Sequence, residues 1–493
     1  MKKYLMTILL TCLAVTFTST ATEDDPLFRQ LSPALKYWLQ ENPLIPTEMT
    51  LDMSFQNYKQ LHAFALDRIL SRDGSDWKIY KVKNYDSMGN ESPVGYAELP
   101  VNSKGENREI LTDGYYFAYK GDPKTGPRIV VQPTQRYEYY VSDQYFMMKD
   151  AVEIYYAKRW ETEAREFKAL LARELNERNL FRNSVLEFTT SDASPNFKSF
   201  ALTFMDHVED MKIDWKDLIL PKDFHQMLYE NTEGFLQLNA QYREHGLKQK
   251  KGLLLYGPPG NGKSLVAQTL ISSMYQGKLK DQVTMIVVTA RHLSFRHAVK
   301  ALFEEAARLA PCVIFMEDID LLGIKSRDGQ ADNSAKQAEV LNEFLNAMDG
   351  VVDTSGLLMI GTTNKVDAMD SALTRSARLG MHLYFENPRY PERKEFFLRL
   401  GTKKAVWAED VTAEWLAGET ENLGGADIVE IISIAKQNAL LAGSYAGEKL
   451  LLTKAFFADA IAQIRRDHGR RDDDREDLLP EALRNLHTLE ATF

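Results

Sequence analysis

The chain has 493 residues, 44% of them hydrophobic and 26% charged. That suffices for two or three domains with separate cores and argues against wholesale disorder. With 60 Lys and Arg against 70 Asp and Glu, the net charge is −10, and no long basic block stands out. This weighs against a nucleic-acid motor, because binding a phosphate backbone needs a basic footprint. Two cysteines, Cys12 and Cys312, make no disulfide framework, and the histidines lack zinc-ligand spacing.

In chain order, Lys2 and Lys3 precede an uncharged run from Tyr4 to Thr22, with small residues at Ser19 and Ala21 and acids at Glu23, Asp24 and Asp25. A basic start, a short apolar stretch and a small-x-small site have the form of a secretory signal. Extended to Ala21, the run also reaches the lower limit of a membrane span. Residues 1–21 are therefore expected to anchor or export the protein, with membrane contact through residues 4–21. A cytoplasmic protein with a misjudged start is the alternative.

Residues 26–205 read as an N-terminal domain, β-rich in its middle part. Tyr58 to Leu66 is helical in pattern. Trp77–Val82, Tyr115–Tyr119 and Arg128–Val131 are strand-like, the last two separated by turns at Gly121 and Gly126. A charged helix is expected near Lys158 to Asn176, then a strand from Ser184 to Thr189. Asp214 to Pro221 leads into a domain at residues 210–390, and Pro221-Lys222-Asp223 suits a helix start. There, apolar strand-like runs alternate with helical patterns, the signature of a parallel α/β sheet. Residues 391–467 read as a small all-helical lid. Residues 468–493 read as a charged linker and a C-terminal helix: the charged stretch, which already begins at Arg465 and ends at Asp477, as a solvated linker, and Leu478 to Phe493 as a last amphipathic helix.

The most informative segment is Gly257-Pro258-Pro259-Gly260-Asn261-Gly262-Lys263-Ser264, set between the apolar run ending at Tyr256 and the helical run from Leu265. A strand, a glycine turn carrying lysine and hydroxyl, and a helix make a phosphate-cradling P-loop. Glycines let successive N–H groups point at phosphate oxygens, and the helix presents its positive end to the same point. Lys263 then reaches the terminal phosphates and Ser264 the Mg²⁺. The chain is expected to bind a nucleoside triphosphate.

Four further features qualify that loop. Cys312 to Met316 is an apolar strand running into Glu317-Asp318. Acids at a strand's carboxyl end lie beside the P-loop, where one holds hydrated Mg²⁺ and its neighbour polarises the attacking water. Leu357 to Gly361 is a strand leading to Thr362-Thr363-Asn364, whose amide can orient that water or read the γ-phosphate. Arg375 and Arg378, three apart, share a face if helical and suit charge neutralisation from a neighbouring subunit. In the lid, Gly424-Gly425-Ala426-Asp427 opens a helix.

In this order and spacing the motifs resemble the AAA family of ATPases over about residues 210–465. The run Phe344 to Gly350 agrees as well. The resemblance implies a homo-oligomeric ring, usually of six subunits, with ATP and Mg²⁺ at subunit boundaries. It assigns ATP to residues 257–264 and Leu265, with Lys263 and Ser264 as phosphate and metal ligands. Glu317 and Asp318 become the Walker B pair, with Glu317 also on the metal, Asn364 the first sensor, and Arg375 and Arg378 arginine fingers. Ala426 stands where some relatives carry a second-sensor arginine, and Ser376, Ala377 and Gly380 depart from the family's finger pattern. Within the family, the Glu-then-Asp order, an apolar N-terminus and a β-rich middle resemble the mitochondrial chaperones that insert the Rieske subunit. The connection after Thr284–Val288 lacks the aromatic–aliphatic–Gly tripeptide of threading unfoldases; Phe295 either substitutes for it or packs. The function expected is ATP hydrolysis that remodels or translocates a protein. Alternatives are a nucleotide-gated scaffold without significant turnover and a threading unfoldase.

Overall fold

A computed structural model describes most of residues 51–477. Residues 1–50 and 478–493, and short internal stretches such as 323–330 and 350–355, lie outside it. The N-terminal apolar segment and the last expected helix therefore fall outside the described residues. Among the described residues no helix is long and apolar enough to cross a membrane.

The nucleotide-binding half is a five-stranded parallel sheet. Its strands, in chain order, are β1 (Lys250–Tyr256), β2 (Thr284–Thr289), β3 (Cys312–Glu317), β4 (Leu357–Thr363) and β5 (Met381–Tyr384). In space they run β5-β1-β4-β3-β2. Central strands such as Leu357–Thr363 are buried at every position because helices cover both faces, which is why they read as unbroken apolar runs. Alternate residues serve the two faces: Val313 and Phe315 enter one core with Val266, Leu270 and Ile271, while Ile314 and Met316 enter the other. This is a P-loop NTPase α/β fold preceded by a β-rich region.

That β-rich region holds the expected strands, now Trp77–Tyr85, Tyr115–Lys120 and Arg128–Tyr140, followed by Tyr145–Tyr156. A helix at Tyr58–Ser71 and another at Glu161–Glu177 accompany them. Its final hairpin, Val185–Ser194 and Phe197–Phe204, lies against the edge of β2, so one 13-stranded sheet passes through both halves.

Two expectations for the C-terminal part are corrected. The lid is not purely helical: Ala405–Trp407, Tyr445–Ala446 and Lys449–Leu452 form a three-stranded sheet. Tyr445 pairs with Leu450 and Ala446 with Lys449, so the turn is Gly447-Glu448, with Gly447 at φ 65°. Such a two-residue hairpin loop needs a left-handed residue, and strands this short leave little periodicity to read. The stretch taken for a linker is helical, within Lys454–Asp477. It has tertiary support at its start, where Arg465 donates to the Glu419 carbonyl at 2.8 Å and His468 lies 3.0 Å from Asp427.

Candidate active site

β1 ends at Tyr256 and the chain turns sharply. Gly257 has φ 141°, and a Cβ there would lie 2.4 Å from the Phe385 carbonyl oxygen; Gly260 has φ 79°, and its Cβ would lie 2.8 Å from that of Ala426. Both positions demand glycine. Gly262, left-handed at φ 89°, caps the helix Lys263–Gln276, whose first N–H groups open into the loop.

Lys263 is only 6% exposed, and its Nζ donates to the carbonyls of Gly257 at 2.8 Å and Pro258 at 2.7 Å. Burial draws its pKa below the usual lysine value, and the charge of Asp318 opposes that shift. A buried ammonium held by main-chain carbonyls, at a helix N-terminus, in a glycine-shaped cradle, fits a polyphosphate. Ser264 and Leu265, in the first turn, are exposed, as are Pro259 and Gly260.

Strand alternation places Glu317 on the same face as Val313 and Phe315, the face covered by the P-loop helix. It lines a cavity of about 220 Å³ with Ala267, Gln268, Met205, Met211 and Thr362. Burial, then the charge of Asp318, push its carboxyl above the usual range. Asp318 leaves the strand with φ 51° and is exposed. The two acids therefore part: Glu317 toward the Ser264 helix, Asp318 into the field of Lys263. Among the described residues no three metal-ligating side chains converge. A Mg²⁺ here would take oxygens from Ser264 and Glu317 and complete its shell with phosphate and water, its ordinary habit.

β4 lies between β1 and β3, so Asn364 follows its carboxyl end between the loop and the acids, exposed at a bend. The residues that hold it there went unrecognised in the sequence. Thr363 Oγ1 donates to Asp320 Oδ1 at 2.8 Å and accepts from the Lys365 N–H at 2.9 Å, both Thr363 and Asp320 being buried. The only signal was an acid two places past Asp318.

Asn261 proves to be a junction. Its Nδ2 donates to the Phe385 carbonyl and to Asn387 Oδ1, while its Oδ1 accepts from the Gly425 N–H at 3.1 Å. Ala426 N donates to the Gly260 carbonyl at 2.9 Å. The lid helix Gly425–Leu441 is thus fastened by its first turn to the P-loop, with Ala426 bringing contact and no charge. Asn387, which also donates to the Asn422 carbonyl, was not foreseen.

The two arginines do not share a helix face: residues 371–373 form a turn, and the Arg378 N–H bonds the Arg375 carbonyl at 2.9 Å. Arg378 is committed at home. Its Nε and one terminal nitrogen donate to the two Asp349 oxygens at 2.8 and 2.6 Å, and the other to the Ala372 carbonyl at 2.7 Å. That contact holds the Asp349 carboxyl below its ordinary pKa. Arg375 is exposed. Both lie at the far end of the sheet from the P-loop: a Cβ on Gly252 would lie 2.0 Å from the Arg378 carbonyl oxygen. From Gly252 to Gly257 along β1 is roughly 16 Å at 3.3 Å per residue, more than an arginine spans.

Phe295 is buried, 6% exposed, beside Phe200 with centroids 6.3 Å apart. It packs, and is no exposed pore residue.

Residues 253–387 match the family described as "ATPase family associated with various cellular activities (AAA)". The chain carries an AAA ATPase domain. Domains of this family bind ATP with Mg²⁺ and hydrolyse it, and the matched stretch contains the glycine-shaped turn with Lys263, the adjacent Glu317 and Asp318, and Asn364. Over 290 residues the chain is 29% identical to a cell division cycle protein 48 homolog of Archaeoglobus fulgidus, covering 57% of this chain and 39% of that protein. Over 264 residues it is 31% identical to the ATP-dependent zinc metalloprotease FtsH of Parabacteroides distasonis, covering 52% and 37%. The FtsH of Mycobacterium leprae is 32% identical over 241 residues, covering 48% and 29%. The chain thus spans under two-fifths of the length of these relatives.

Proposed function

We propose that this protein is an ATPase that assembles into a homo-oligomeric ring, usually of six subunits in its family, and uses ATP hydrolysis to remodel or move a protein. Lys263 and the loop amides hold the triphosphate, and Ser264 with Glu317 holds its Mg²⁺. Asp318 polarises the attacking water, which Asn364 orients. Bound Mg²⁺ neutralises charge on the phosphoryl oxygens.

The observation that carries the ring is the position of Arg375. It is exposed and charged, and it is hydrogen-bonded through its carbonyl to Arg378, whose own carbonyl abuts Gly252, about 16 Å along β1 from the P-loop; an ATP that it touches would belong to another copy. Arg378 supports it from within the same subunit, which leaves Arg375 as the reaching finger. The test mixes two inactive proteins, Arg375→Ala and Lys263→Ala, and follows phosphate release. Each alone should be inactive, because a finger is worth ~10³–10⁵ in rate in well-studied cases, while mixtures should regain activity. No recovery at any ratio would refute a finger acting between subunits.

The burial of Phe295 weighs against threading through a pore gripped at that residue. A nucleotide-gated scaffold stays distinguishable by steady-state phosphate release from the unmodified protein. The likeness to Rieske-subunit chaperones rests on the Glu317-Asp318 order and on layout, so no client is assigned. Anchoring or export through residues 4–21 is part of this proposal, and sequencing the mature N-terminus tests it: cleavage near Ala21 means export, an intact start in the membrane fraction means anchoring.

A further inference from the structure

The N-terminal strands are not tethered to the AAA sheet; they extend it. Val185–Ser194 runs parallel to β2, pairing Val185 with Met285, Leu186 with Ile286 and Glu187 with Val287. Just before this ladder, the Asn183 N–H donates to Thr284 Oγ1 at 2.9 Å, and the Arg182 guanidinium donates to the Arg308 and Ala310 carbonyls. One continuous hydrophobic core runs from Leu61 in the N-terminal half to Leu379 in the AAA domain.

The connection leaving β2 is covered by the same hairpin. Thr289, the last residue of β2, is the register partner of Glu317. After it, Ala290, Leu293 and Phe295 are buried. The Thr190 N–H donates to His292 Nδ1 at 3.2 Å, and Thr190 Oγ1 lies 3.3 Å from the same nitrogen. Phe295 packs on Phe200, which stacks on Phe188, and Lys198 Nζ sits 4.7 Å above the Phe295 ring. Residues of both hairpin strands thus hold the connection at its middle, His292, and at its end, Phe295.

We propose that the hairpin Val185–Phe204 is the output element of the ATPase, with His292 and Phe295 as the positioning residues that drive it. The inference rests on the proposed ATP cycle. A displacement of Glu317 between nucleotide states is shared with Thr289 through the ladder, and the connection passes it to Thr190 and Phe200. The hairpin cannot slip to absorb it, because moving a strand by one residue exchanges its buried and exposed faces. The N-terminal body therefore swings as an extension of the AAA sheet, and work on a partner is done by that body rather than by a loop in a pore.

The test is amide hydrogen exchange on the full-length protein with Mg²⁺ and either ADP or a slowly hydrolysed ATP analogue. In the unmodified protein, exchanging one nucleotide for the other should change exchange at 185–204 by about fivefold or more, the lower edge of ordinary coupling between sites, and change it at 250–276 as well. In His292→Ala, which removes a half-buried side chain, and in Phe295→Ala, the response at 250–276 should persist while that at 185–204 falls below about twofold. A purely structural role would alter exchange equally with both nucleotides and leave the difference intact. A response at 250–276 without one at 185–204 in the unmodified protein would overturn the proposal. So would an undiminished response at 185–204 in folded His292→Ala. No response in either region would instead refute the ATP-binding reading itself.

Discussion

His62 lies fully buried in the helix Tyr58–Ser71, with neither ring nitrogen hydrogen-bonded. Burial lowers its pKa from 6.5 to about 3, so in the folded protein it stays neutral while the unfolded chain takes a proton. The unfolded state binds more protons below pH 6.5, so stability falls as the pH falls from there and levels off near pH 3. At pH 5.5, one unit below the unfolded pKa, the loss is about 1.4 kcal/mol relative to pH 7.5. The full span of 6.5 to 3 corresponds to about 5 kcal/mol. His62→Leu removes the titration and two unsatisfied nitrogens, the latter worth about 1–3 kcal/mol per buried group. Urea unfolding of both proteins at pH 7.5 and 5.5 measures this. The variant should be more stable at both, and its loss between them smaller by about 1.4 kcal/mol. Parallel losses in the two proteins would show that His62 acquires a proton without cost and would refute the argument.

The junction at Asn261 and the clamp at Arg378 give two further expectations. Asn261→Ala breaks three hydrogen bonds joining P-loop, Phe385–Asn387 and lid helix, each worth about 1 kcal/mol net. ATP affinity should fall by roughly tenfold or more by titration calorimetry, with the fold retained; unchanged affinity would mean the lid is held elsewhere. Arg378→Ala leaves Asp349 and the Ala372 carbonyl without their partner and should lower thermal stability by a few degrees, on the order of 1–3 kcal/mol. Arg375→Ala, on an exposed side chain, should not shift it, so equal melting temperatures for the two variants would contradict the division of labour between these arginines.

Much of the catalytic half was legible because its signals are local. The glycine spacing of residues 257–262, the apolar strand before Glu317 and the Thr363-Asn364 tip each need only a few neighbouring residues to declare themselves. The lid hairpin around Gly447 was also local but rests on strands of two to four residues, too short for a period to emerge. The helical state of Arg465 to Asp477 was hidden by its charge, since a polar run takes its structure from what it docks against.

What the amino-acid order determined by itself was local: a glycine-rich loop carrying Lys263, two adjacent acids and an amide, held by backbone conformations that glycine favours and by strands apolar on both faces. What tertiary structure decided was partnership over distance. Asn261 meets Gly425 across 164 positions, Arg378 meets Asp349 while Arg375 stays exposed, and Val185–Ser194 extends the sheet at Met285. None of these has a sequence signature, because hydrogen bonds and strand pairing between remote segments depend on how the chain closes on itself and not on which residues stand next to one another.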